Sequence, residues 1–171
     1  MRKLLVALLL PHLCLAGDLD ESYIAFGAFH EPDGDHAGIE STASMNLNDA
    51  FSFNAGLGYY ESLNDYNTPH TFEGLNIGIL ANLGDSIFQP RAGIGAYAGN
   101  TFKCSSWREK IEENETRCEE DYIAALYPEV GVLFGIGKLR VYPFARRYFD
   151  TTSGSSATNA YGIHLGWGLD E

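Results

Sequence analysis

Few residues of this chain are of types that carry covalent chemistry, and their spacing mainly excludes functions. No glycine-flanked nucleophile elbow occurs, and no His–Ser or His–Asp arrangement of the kind that activates a hydroxyl stands out. His164 belongs to a late segment of alternating residues, while His30, His36 and His70 border polar stretches. A solvated or packed ring is the expectation for each. Asp33, Asp35 and His36 put three cation-binding groups in one short stretch, but their spacing matches no calcium loop. The residues therefore point to a protein that is not an enzyme and that uses no cofactor and no metal.

Cysteines carry a clearer message once the N-terminus has been read. Met1-Arg2-Lys3 precedes an apolar run from Leu4 to Leu10 and a short exit at Cys14-Leu15-Ala16, the layout of a secretory signal peptide over residues 1–16. Pro11, His12 and Leu13 ahead of Cys14 are not the small residues that lipid attachment requires. Cleavage after Ala16 leaves Cys104 and Cys118 as the remaining cysteines of a mature domain over 17–171. Export to an oxidising compartment predicts a disulfide between them. Two thiols without neighbouring histidines fall short of the four ligands of a structural zinc site. Asn114-Glu115-Thr116 matches a glycosylation sequon and is read as a chance match.

Charge narrows the partners. The 171 residues include 23 acidic and 11 basic ones; losing Arg2 and Lys3 leaves nine basic residues and a formal charge of −14. That balance repels nucleic-acid phosphates, and the mature sequence has no basic stripe to overcome it.

The elements that position these groups are strands. After the signal no run of about 18 to 20 apolar residues is available for a transmembrane helix. What recurs is strict alternation, the period of a strand whose two faces meet different surroundings. Leu75, Ile77, Ile79, Ala81 and Leu83 alternate with Asn76, Gly78, Leu80 and Asn82; Ile163, Leu165, Trp167 and Leu169 alternate with Gly162, His164, Gly166 and Gly168. Eight such runs are predicted, over residues 22–30, 37–47, 51–61, 71–83, 87–100, 122–136, 139–149 and 160–169. Tight turns at Asn48-Asp49-Ala50, Gly84-Asp85-Ser86 and Gly137-Lys138 alternate with longer connections over 31–36, 62–70, 101–121 and 150–159. The run from Arg108 to Arg117 reads as a solvated loop, with a short surface helix as the alternative. Short-long alternation with an even strand count is the pattern of an eight-stranded antiparallel up-and-down transmembrane β-barrel, with both termini at the tight-turn, periplasmic end. A soluble lipocalin-like carrier has similar strands but would put charged residues on its polar face, whereas here that face is Gly, Asn, Ser and Tyr. Glycine weakens an exposed strand yet suits a crowded barrel interior.

Inward charges are few. With Gly137-Lys138 as a two-residue turn, Ile136 pairs with Leu139, and the register sets Glu129 opposite Arg146, with Arg91 and Arg140 as expected neighbours. Mutual pairing is the expected state of a buried charge, and gating of a narrow pore by exchange of partners is the sharper alternative. Tyr60, Leu80, Tyr97, Tyr127, Leu133, Tyr142 and Phe144 are expected to fill the lumen.

From Ser22 to Leu169 the chain resembles the small eight-stranded outer-membrane barrels similar to the transmembrane domain of outer membrane protein A. The resemblance rests on architecture and on the segments Gly74-Leu75-Asn76-Ile77-Gly78-Ile79 and Pro90-Arg91-Ala92-Gly93-Ile94-Gly95-Ala96-Tyr97. It implies a monomer in the outer membrane of a Gram-negative bacterium, with outer-membrane lipids and the barrel-assembly machinery as partners. Such barrels end in an aromatic residue that insertion machinery reads; here Trp167 and Leu169 are expected to serve, and no peptidoglycan-binding domain is expected. The functional expectation is a structural or surface-interaction role through the loops, for adhesion or envelope integrity. The alternatives are a narrow, porin-like pore for small solutes, a soluble periplasmic carrier and, more weakly, a lipid-modifying enzyme.

Overall fold

A computed structural model describes residues 22–32, 36–62, 70–84, 87–106, 116–152 and 157–169. The proposed signal peptide, Asp33, Asp35 and most of the longer connections lie outside these residues. Eight strands close into one antiparallel barrel in sequence order: β1 (Tyr23–Glu31), β2 (His36–Asn48), β3 (Phe51–Ser62), β4 (His70–Asn82), β5 (Phe88–Ser106), β6 (Thr116–Ile136), β7 (Leu139–Asp150) and β8 (Thr158–Gly168). Closure is completed by β1 and β8, with Tyr23 opposite Gly168, and removes the free edges of the sheet.

The tight turns follow from local chemistry. Asn48 Oδ1 accepts hydrogen bonds from the amides of Ala50 and Phe51, each at 2.9 Å, and the chain reverses there. Gly137 has φ +57°, a left-handed conformation that glycine adopts without strain, and Ile136 faces Leu139 across it.

Alternation decides which face is which. Phe26, Ile39, Ile79, Ile94, Val130, Leu165 and Trp167 are exposed around the outer wall, while Ser44, Asn46, Ser52, Asn76, Gln89, Glu129 and Arg146 are buried inside. A soluble barrel buries its apolar face; this one displays it, which excludes the lipocalin-like arrangement. Tyr60, Leu80, Tyr97, Tyr127, Leu133, Tyr142 and Phe144 all lie in the buried interior. Close packing there demands glycine: a Cβ at Gly95 would lie 2.4 Å from Tyr127 Cζ and 2.6 Å from the Ile77 carbonyl oxygen.

One expected connection is corrected. The stretch 101–121 is not a loop throughout, because β5 runs on to Ser106 and β6 starts at Thr116, so neither a loop nor a helix occupies 116–117. The pairs Thr101 with Asp121 and Lys103 with Glu119 continue the ladder. Charged residues argued for a loop because charge is costly in lipid, but a membrane-spanning strand needs only about 9–11 residues. A 21-residue β6 projects far beyond that band, where both faces tolerate charge.

Pro90 and Pro143, which lack the ladder donor, are both accommodated in strands, opposite Val132 and Ile163 respectively. Between β6 and β7 the register skips the residues around Pro128 and Pro143.

Candidate functional site

The barrel interior divides into layers, and the middle one holds the charges. Counting back from the Gly137-Lys138 turn, the register sets Glu129 of β6 directly opposite Arg146 of β7. Both side chains point inward, and Arg146 Nε donates to Glu129 Oε2. Tyr142 Oη donates to the other carboxylate oxygen, Oε1, at 2.8 Å.

The remaining arginine donors cross the lumen. Arg146 Nη1 and Nη2 donate to Glu40 Oε2 and Oε1 of β2, both at 2.8 Å, a fork-on-fork geometry that suits guanidinium and carboxylate. Glu40 also accepts from Asn76 Nδ2 at 3.0 Å, and His164 Nε2 lies 2.7 Å from its Oε1. The side chains of Arg146, Glu40 and Glu129 are 4%, 1% and 2% exposed, so water does little of this work. Aromatic rings enclose the guanidinium: its carbon lies 4.3 Å from the Phe144 ring centre and 5.0 Å from that of Tyr127. Every carboxylate oxygen of Glu40 and Glu129 therefore has a partner, the condition under which a buried polar network rigidifies rather than destabilises.

Arg91 and Arg140 lie elsewhere. Arg91 sits nearer the turn end, where Gln89 Oε1 accepts from its Nε and Nη2 at 3.1 and 2.9 Å, and Tyr23 Oη accepts from Nη1 at 3.3 Å. It makes no ion pair among the described residues. Beside it Ser52 Oγ donates to Asn46 Oδ1 and Asn82 Oδ1 at 2.8 and 2.9 Å, as alternative or shared acceptors. Arg140 lies at the turn itself and donates to the carbonyl oxygens of Gly137 and Leu139. Cys104 and Cys118 occupy facing positions of the long β5–β6 hairpin. Glu40 and His164 complete the charged layer; the alternation of the last segment sets His164 on the face opposite Ile163 and Leu165, whereas sequence reasoning missed Glu40.

Above the charged layer, toward the longer connections, Tyr60 stacks on Phe72 with ring centres 5.1 Å apart and lies 5.4 Å from Tyr97. Tyr127 and Tyr148 meet edge to face at 5.0 Å. Rings and ion pairs together fill the interior across its width.

A closed wall of eight antiparallel strands, apolar outside and polar or aromatic inside, decides the matter. The chain has the fold of the eight-stranded outer-membrane β-barrels. Solved structures agree. Neisserial surface protein A superposes with a TM-score of 0.65 at 11% identity, covering 87% of this chain and 97% of that one. A major outer membrane protein from Thermus thermophilus gives 0.60 at 10% identity, over 85% and 98%. Ail, the attachment invasion locus protein of Yersinia pestis, gives 0.54 at 10% identity, over 85% and 95%. No protein-family model matches the sequence, and no curated protein matches it. At such low identity the likeness is one of fold: similar barrels form from sequences that share the inside-outside alternation and little else.

Proposed function

We propose that this barrel is an integral outer-membrane protein with a structural or surface-interaction role, holding its four longer connections outside the cell while the lumen stays shut. The observation that carries this reading is the filled interior, in which Arg146 joins β2, β6 and β7 through Glu40 and Glu129. The reading includes a signal peptide over residues 1–16, termini in the periplasm, insertion by the barrel-assembly machinery and a monomer surrounded by lipid. It also includes a disulfide between Cys104 and Cys118, whose facing register positions and export route both favour it. Adhesion and envelope integrity are the roles suited to such a scaffold; the carboxylates of the charged layer are committed to their partners rather than poised for catalysis.

The test has two parts. Expression with the native signal should yield a band in the outer-membrane fraction that migrates faster unboiled than boiled, the behaviour of a folded barrel. Purified protein in planar bilayers should then give no sustained conductance steps. Steady conductance that Glu129→Ala alters would instead support the narrow-pore reading. Recovery as a soluble periplasmic protein without a gel shift would overturn the membrane assignment.

A further inference from the structure

A cavity of about 700 Å³ opens above the aromatic layer, at the end of the barrel that carries the longer connections. Its floor and walls include Tyr60, Phe72, Tyr97 and Tyr148, and its rim carries Glu31, Asp121 and Asp150. Among the described residues that line it there is no lysine or arginine, and His36, 3.7 Å from Glu31, is the one basic group. Arg146 lies beneath, already engaged by Glu40 and Glu129, with Tyr148 between it and the cavity at 3.4 Å.

We propose that this mouth is a binding site for organic ammonium ions, with the aromatic rings receiving the alkylated cation and the carboxylates neutralising it. The inference rests on the barrel's being a folded outer-membrane protein with this end accessible from outside.

Two observations select that chemistry. First, ring faces attract a cation through their quadrupole, and a cluster of rings under a ring of acids combines both forces in one concave site. Phe72, only partly buried, is the ring of this cluster nearest the opening, with Tyr60 stacked on it at 5.1 Å and the His36 ring against it at 5.2 Å. Second, the acids are not arranged for a metal: among the described residues no three metal-ligating side chains converge. Asp150 accepts hydrogen bonds from the Thr152 amide and hydroxyl, each at 2.7 Å, and Asp121 accepts from the Tyr122 amide at 3.0 Å. Those bonds hold the carboxylates apart around the rim, a distribution that suits a diffuse cation better than a small, strongly hydrated one. Anionic ligands are disfavoured by the same three carboxylates.

Choline is a suitable probe, because 3,3-dimethylbutan-1-ol replaces its quaternary nitrogen with carbon and keeps the shape. The full chain, refolded in a maltoside detergent and checked by its gel shift, is titrated calorimetrically with each; zwitterionic detergents are avoided because they bring their own quaternary ammonium. Choline should bind at least about tenfold more tightly than the uncharged isostere, the ratio expected of a desolvated cation–π contact. Affinity should fall with added salt. Asp150→Asn should weaken choline about threefold or more, and Tyr60→Leu about tenfold, with the gel shift retained. Equal affinity for choline and the isostere, or no binding by protein that shows the shift, would overturn the proposal while leaving the barrel reading intact. Loss of the gel shift in the unmodified chain would instead overturn the reading on which it rests.

Discussion

Replacing Arg146 by methionine removes the cation of the charged layer while keeping most of the side chain's length. The two carboxylates it serves are affected unequally. Glu40 keeps Asn76 at 3.0 Å and the His164 imidazole at 2.7 Å, so it retains two polar neighbours. Glu129 keeps only the neutral Tyr142 hydroxyl and would be left as a carboxylate 2% exposed without a cation. Breaking a buried pair by removing one partner costs about 3–5 kcal/mol, and the polar neighbours that Glu40 keeps place Arg146→Met toward the lower end of that range. A loss of about 3 kcal/mol is roughly a hundredfold in the folding equilibrium. Urea unfolding in lipid vesicles, followed by tryptophan fluorescence and gel shift, measures it. Glu40→Gln and Glu129→Gln added to Arg146→Met should recover much of the loss, because no uncompensated charge is then buried. A change under about 1 kcal/mol for Arg146→Met, or a further loss in the triple variant, would show that lumen water already solvates these groups and that the ion pairs do not close the interior.

Two further predictions test the wall and the long hairpin. Ile94 is 72% exposed on the outer face. Ile94→Arg should destabilise the vesicle-embedded barrel by about 2–4 kcal/mol in urea titration if the residue lies near the bilayer midplane, whereas a solvated wall would register no more than about 0.5 kcal/mol. Unreduced protein purified from outer membranes should be inert to maleimide even when unfolded, and should gain two labels after reduction. Two labels without reduction would exclude the Cys104–Cys118 bond. Closing a loop of this size is worth about 3 kcal/mol in the chain-entropy account, so reduction should lower the unfolding midpoint visibly.

The fold was legible because the bilayer imposes a period of two on each spanning segment. Leu75, Ile77 and Ile79 face outward against Asn76 and Gly78 because one wall meets lipid and the other a narrow lumen, and no helical period satisfies both. Where lipid ends, that signal ends. Residues 101–106 and 116–121 continue the ladder as strand, yet their charges carry no inside-outside contrast, so they resembled a loop. The exposed apolar wall also accounts for what the net charge of −12 could not reveal: the outer wall is made of side chains that contribute no charge at all.

The charged layer was legible only as far as the ladder reaches. A two-residue turn at Gly137-Lys138 fixes the register of β6 against β7, and counting outward from it places Glu129 beside Arg146. Glu40 lies 106 residues before Arg146 and meets it across the lumen, from a strand that pairs with neither β6 nor β7. Such a contact depends on the shear of the closed barrel, which local register cannot supply. A signal was nevertheless present: Glu40 is the carboxylate at an inward position on a strand whose other inward residues there are Thr42, Ser44 and Asn46. A buried carboxylate in such company requires a cation from elsewhere. The same reasoning grouped Arg140 with the lumen charges; six residues before Arg146 on β7, it lies at the turn and donates to the carbonyls of Gly137 and Leu139. Parity tells which face a charge occupies; depth along the strand decides which charge it meets.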